Sequence, residues 1–187
     1  MYVYLSIMWD NDLNKLLQDL IDVAHLWEKL GVTYGYVEAP WAPTPNEVIE
    51  FVLDLGSINS KDIVFDLGCG DGRIVIGAAK RGAKAICIEI DDKLIEIART
   101  KAREQDVEDR ITFINSDIIN VDLSSASIVY IYLTTNVINR LKNKIISELR
   151  PGTMIISLDY SMDWLQPLDV EELYVGTKRY RVYLYII

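Results

Sequence analysis

The sequence predicts an α/β fold in which a mainly parallel sheet is covered by helices on both faces. Three observations carry that prediction. Short apolar runs alternate with helical patterns from Ile63 to Leu158. One strand-to-helix junction is a glycine cluster, Gly68-Cys69-Gly70-Asp71-Gly72. Two consecutive strand-like runs at the C-terminus then break the alternation, as a closing antiparallel hairpin would.

Each element follows from local pattern. From Asn11 to Leu30 the residues Leu13, Leu16, Leu17, Leu20, Ile21, Ala24 and Trp27 recur at helical spacing with acids and lysines between them. This is an amphipathic helix that stops near Gly31, with His25 structural; its apolar stripe is expected to pack on the core, a lid over the binding cleft and a dimer contact being the alternatives. Tyr34 to Pro45 reads as an ordered, proline-rich loop, and Thr44 as the cap of a helix that starts at Pro45 and runs to Leu55. After Gly56, Ser57 and Asn59 come strand Ile63 to Leu67, helix Arg73 to Arg81, strand Ala85 to Ile90 and helix Lys93 to Glu104. Strands Ile111 to Ile114 and Ile128 to Leu133, helix Asn136 to Leu149 and strand Met154 to Leu158 complete the alternation. Val170 to Val175 and Tyr180 to Ile187, joined at Gly176-Thr177, form the hairpin.

The 187 residues suffice for one domain with a buried core. A formal net charge of −9 speaks against a protein that grips nucleic-acid backbone or an anionic membrane. One histidine and two cysteines exclude a Ser/His/Asp or Cys/His triad and a Cys/His zinc site. Cys69 and Cys87 are expected to be inert, separate core thiols of a reducing, cytoplasmic compartment, since neither a secretory signal nor a long apolar span is evident.

Chemistry enters at Val64-Phe65-Asp66-Leu67-Gly68-Cys69-Gly70-Asp71-Gly72, where a buried strand ends in an acid and glycines open a helix. Position 73 is arginine, so the dinucleotide fingerprint G-x-G-x-x-G is absent. Asp66 would repel a pyrophosphate and suits a ligand bearing an ammonium and a sulfonium. Glu89 closes the second strand, at the interval where such folds offer a carboxylate to ribose hydroxyls, and Asp117 follows the third. Three acids at the carboxyl ends of consecutive parallel strands line one crevice.

On these residues the chain from about Asn59 onward resembles the class I S-adenosylmethionine-dependent methyltransferases. The resemblance implies a Rossmann-like, seven-stranded sheet with an antiparallel last strand, preceded here by the N-terminal helix. It divides the single domain 1–187 into a helix and cofactor-covering loop at 1–45 and a catalytic core at 46–187. It also implies S-adenosylmethionine as cofactor without a metal. Asp66, Gly68, Cys69 and Gly70 would surround its methionine part, Glu89 and Ile90 its ribose side, and Asp117 and Ile118 its adenine.

Ala42-Pro43-Thr44-Pro45, the run V-F-D-L-G-C-G-D-G-R-I, Y-L-T-T-N-V and E-L-R-P-G-T together resemble a narrower group, the archaeal broad-specificity protein lysine methyltransferases and their Dot-type and mitochondrial relatives. By that resemblance Pro43 and Thr44 fold over the cofactor's methionine end. Tyr132 reaches both cofactor and acceptor, and Leu133, Thr134, Thr135 and Asn136 line the acceptor channel. Trp41 departs from the group, which has a smaller or tyrosine-type residue there. The group implies protein partners met through exposed lysines, no stable nucleic-acid or membrane partner, and a monomer. No N/D/S-P-P-Y/F tetrapeptide is present, which disfavours nucleic-acid amines and glutamine amides as acceptors, and neither cysteine is placed for pyrimidine C5 chemistry. Tyr132 as an orienting hydroxyl and Asp159 as a water-mediated proton acceptor are the candidate catalytic residues. A small-molecule methyltransferase and a non-catalytic cofactor-binding module are the alternatives.

Overall fold

In the computed structural model of the protein, residues 41–187 are described. The expected helix over Asn11–Leu30 lies outside them. The elements in chain order are α1 (Asn46–Leu55), β1 (Ile63–Leu67), α2 (Arg73–Lys80), β2 (Lys84–Glu89), α3 (Asp92–Glu104), β3 (Ile111–Asn115), β4 (Ile128–Ile131), α4 (Thr135–Glu148), β5 (Met154–Leu158), β6 (Asp169–Val175) and β7 (Lys178–Ile186).

The strands form one sheet in the order β3-β2-β1-β4-β5-β7-β6. β1 to β5 pair in parallel, and β7 pairs antiparallel with both β5 and β6. The last strand therefore inserts between β5 and β6, and β6 becomes the edge. Strands covered on both faces must be apolar throughout, which is why β1, β4 and β5 read as short runs of Ile and Val rather than as alternating patterns.

Alternation along β1 decides which face each residue serves. Val64 joins a core with Val48, Val52, Ile74, Ile95, Cys87, Tyr130 and Ile156, so α1, α2 and α3 cover that face. Phe65 and Leu67 join Val129, Ile131, Ile138, Leu141, Ile145 and Ile155, so α4 covers the other. Each such buried aliphatic contributes roughly 1.5 to 3 kcal/mol relative to exposure. Asp66 falls between Phe65 and Leu67 and is directed to the first face, an acid placed where the pattern asks for a hydrophobe.

Three expectations are corrected. Cys69 and Cys87 are not separate thiols: they form a disulfide with Cα atoms 5.3 Å apart. The reason is register, since β2 runs beside β1 with Cys87 opposite Asp66, and the chain turns at Gly68 to bring Cys69 back against β2. Thr44 does not cap α1. Pro45 occupies the cap position with ψ 151°, and the buried Thr44 makes no side-chain capping bond. Finally, β4 ends at Ile131 rather than Leu133, because β1 ends at Leu67 opposite Ile131 and leaves Tyr132 without a ladder partner.

Candidate active site

The carboxyl ends of β1, β2, β4 and β5 all open on the same edge of the sheet. The glycine loop after β1 is fastened to β2 by its main chain: the N–H groups of Gly68 and Cys69 both donate to the Ile88 carbonyl, at 2.9 and 3.0 Å. The disulfide adds a covalent tie between the same segments. Gly70 and Gly72 have φ of 54° and 80°, left-handed values that side-chain-bearing residues rarely take. A Cβ on Gly70 would strike the Trp41 indole nitrogen, and one on Gly72 would approach the Ala98 Cβ of α3 to 2.7 Å. The first glycine admits a close neighbour over the loop, and the second lets α3 pack on the start of α2.

Asp66 is 3% exposed at the carboxyl end of β1. Burial, with the charges of Glu89 and Asp71 adding to it, pushes its carboxyl well above the ordinary carboxylate range. Tyr130 stands opposite Asp66 on β4 with its hydroxyl buried and unpartnered among the described residues. Burial first, and the Asp66 charge second, raise that phenol well above its usual value against an opposing pull from the nearby Thr44 side chain. A buried acid beside two other carboxylates is costly unless a cation or proton meets it. This is the requirement a bound ammonium group satisfies, so the site fits the cationic end of the expected cofactor.

The pH consequence has a definite sign. A carboxyl raised in the folded state contributes stability that is full below its unfolded value near 3.9 and is lost as pH rises through the folded value. In the ligand-free protein Asp66 therefore costs stability at neutral pH. Asp66→Asn is expected to raise the melting temperature of the ligand-free protein at pH 7 and to flatten its dependence between pH 4 and 7, while weakening binding of S-adenosylhomocysteine at least tenfold. Thermal unfolding across that range and calorimetric titration check both arms.

Glu89 acts as the loop's organiser. One oxygen accepts the Gly70 N–H at 3.0 Å and the other accepts those of Ile90 and Asp91 at 2.8 and 3.0 Å. Burial raises its pKa, and those three N–H groups oppose the rise. Asp91 in turn caps α3 by accepting from the N–H of Lys93 and Leu94, a cap the sequence reading missed. Asp117 caps the short turn after β3 through the Ile119 N–H at 3.1 Å and lies 4.0 Å from the Arg140 guanidinium. Ile90 is 69% exposed and Ile118 half-buried, leaving apolar surface beside these two acids.

The structure also brings together the two residues read as catalytic. Tyr132 Oη donates to Asp159 Oδ2 at 3.3 Å, and Asp159 Oδ1 accepts the Arg181 N–H of β7 at 3.0 Å. Burial first, and the nearby Asp159 carboxylate second, push the Tyr132 phenol far above its ordinary value, so it stays protonated. Asp159 has φ 62°, a left-handed conformation held by its own N–H donating 2.7 Å to the Arg181 carbonyl. Tyr160, at the mouth of this pair, sits 6.4 Å from Tyr132 between ring centroids. Of the other acceptor-side candidates, Leu133 is buried, its Cδ2 3.0 Å from where a Gly68 Cβ would lie. Thr134 stands at the N-cap of α4, and Thr135 and Asn136 are exposed on its first turn. Pro43 is exposed and Thr44 buried in the segment leading into α1. Asp71, passed over in the sequence, proves to be a buried acid bound to Arg73 and Lys101.

Comparison with known proteins shows which family the chain resembles. Residues 66–169 match the model of the ANTKMT methyltransferase domain. A protein-lysine N-methyltransferase of Saccharolobus islandicus is 38% identical over 150 residues, covering 79% of this chain and 93% of that protein. The adenine nucleotide translocase lysine N-methyltransferase of Mus musculus is 29% identical over 150 residues, covering 80% of this chain and 63% of that protein. Among solved structures, an RNA methyltransferase from Salinibacter ruber in complex with S-adenosyl-L-homocysteine superposes with a TM-score of 0.73 at 37% identity, covering 78% of this chain and 94% of that one.

Proposed function

Because the chain belongs to the ANTKMT methyltransferase domain family, we propose that it transfers methyl groups from S-adenosylmethionine to the side-chain amine of protein lysines, accepting a range of proteins. The observation that carries this reading is the 38% identity to an archaeal protein-lysine N-methyltransferase across nearly that protein's whole length. The net charge of −9 supports it, since lysine-bearing acceptors are attracted and nucleic-acid backbones repelled.

In this reading Asp66 holds the cofactor's ammonium, Glu89 its ribose hydroxyls and Asp117 its adenine amino group. Ile118 packs on the base and Ile90 lies on the ribose side. Pro43 and Thr44 cover the methionine end. S-adenosylmethionine, when bound, supplies an electrophilic methyl group on a positively charged sulfur. The acceptor must arrive as a neutral amine, whereas lysine in water has a pKa of about 10.4. A half-buried aromatic setting made by Tyr132 and Tyr160 disfavours the ammonium form. Tyr132, held as a phenol, orients the Asp159 carboxylate by donating to it, and Asp159 receives the amine's proton through water. Proximity and alignment supply most of the rate.

The test is to incubate the purified protein with methyl-labelled S-adenosylmethionine and a fractionated lysate, then to hydrolyse each labelled fraction. Methyl-lysine in several proteins is the expected result. Label confined to RNA would instead follow the Salinibacter likeness, and label confined to small molecules would replace the reading with a small-molecule enzyme.

A further inference from the structure

Asp71 lies inside the glycine loop, yet its side chain is only 4% exposed. Arg73 Nε donates to Oδ1 at 2.8 Å and Nη2 to Oδ2 at 2.6 Å, a two-pronged pairing, while Lys101 Nζ of α3 donates to Oδ2 at 2.5 Å. Burial pushes this carboxyl up, but the hydrogen bonds and charges of Arg73 and Lys101 outweigh it and hold it below the ordinary range. One arm of the guanidinium is left over. Its Nη1 donates 2.7 Å to the main-chain carbonyl of Thr44. Thr44 belongs to the same short segment as Trp41, whose indole lies against Gly70.

The arrangement exceeds what packing requires. Neutralising Asp71 needs Lys101 alone, and α1 is separately tied to the end of α2 by Arg81, which pairs with Glu50 at 2.8 Å and Asp54 at 2.7 Å. The third arm of Arg73 instead reaches the stretch that precedes α1, over the loop that receives the cofactor. A planar fork holds Asp71 along one edge and the Thr44 carbonyl from another at fixed geometry, whereas a lysine offers all its donors from a single nitrogen.

We propose that Asp71 and Arg73 are positioning residues that clamp the segment Trp41–Pro45 onto the glycine loop and thereby set affinity for the methionine end of the cofactor. The proposal rests on the cofactor-site reading given above. The clamp closes a cover made of main chain and indole without itself touching the reacting atoms.

Calorimetric titration of S-adenosylhomocysteine into wild type, Arg73→Met, Arg73→Lys and Arg81→Gln, with a melting temperature for each, tests it. Arg73→Met is expected to raise the Kd tenfold or more and Arg73→Lys to fall between. Arg81→Gln should lower the melting temperature by loosening α1 and leave the Kd within twofold. Wild-type affinity in Arg73→Met, or equal weakening in Arg81→Gln, would reduce the clamp to ordinary helix docking. Failure of the wild type itself to bind would overturn the cofactor reading beneath it.

Discussion

Replacing Glu89 by alanine is expected to weaken S-adenosylhomocysteine binding by about a hundredfold or more, roughly 2.7 kcal/mol, beyond any loss of fold stability. Two losses combine. The carboxylate accepts three main-chain N–H groups, from Gly70, Ile90 and Asp91, and these would face the crevice without partners. Orphaning a donor costs about 1 to 3 kcal/mol where water cannot replace the acceptor. The ribose contact proposed for the same carboxylate disappears as well. Glu89→Gln separates the two, because the amide keeps an acceptor oxygen for part of the N–H set and loses the charge. It should retain the melting temperature better than alanine does while still binding at least tenfold more weakly than wild type. Near-wild-type binding in both variants would remove Glu89 from the cofactor site and leave it as a loop brace only.

Glu89 also marks what kind of information the sequence carries. Its place at the end of β2 was legible because strand length, the glycine cluster and the downstream acid are all local. Its triple acceptance of N–H groups was not, because that depends on how the loop after β1 folds back across Ile88. The same divide separates the other residues. β1, α2 and β5 were bounded to within a residue by apolar runs and glycines, whereas the Cys69–Cys87 bond needed the parallel register of β1 on β2. Asp71 looked like one more loop acid; only the approach of Lys101, a whole helix away in sequence, shows it to be buried and doubly paired. The hairpin was readable from Gly176-Thr177, but the insertion of β7 between β5 and β6 is a pairing choice between strands, which no local pattern encodes. The left-handed Asp159 was likewise hidden: aspartate tolerates that region better than most residues, and it carries no glycine to announce the turn.

That conformation makes Asp159 the sharper test of the chemistry, because backbone strain and carboxylate function are separable there. Alanine at 159 removes the carboxylate and also places an unfavourable side chain at φ 62°, a cost on the order of 1 kcal/mol. Glycine removes the carboxylate and relieves the backbone. Asparagine keeps the shape: its oxygen still accepts the Arg181 N–H while its amide nitrogen faces the Tyr132 hydroxyl, which then accepts instead of donating. If Asp159 takes the proton released by the acceptor amine, all three variants lose kcat by about a hundredfold, in the range general-base removal produces. Only alanine should lose appreciable melting temperature, and all three should bind S-adenosylhomocysteine within twofold of wild type. Tyr132→Phe should then cost about tenfold in kcat, because the ring still walls the site and only the orienting hydroxyl is gone. Asparagine at 159 turning over at the wild-type rate would dismiss the carboxylate as a proton acceptor. Glycine and asparagine both retaining full activity while alanine loses it would show that the site needs the left-handed turn and not the acid.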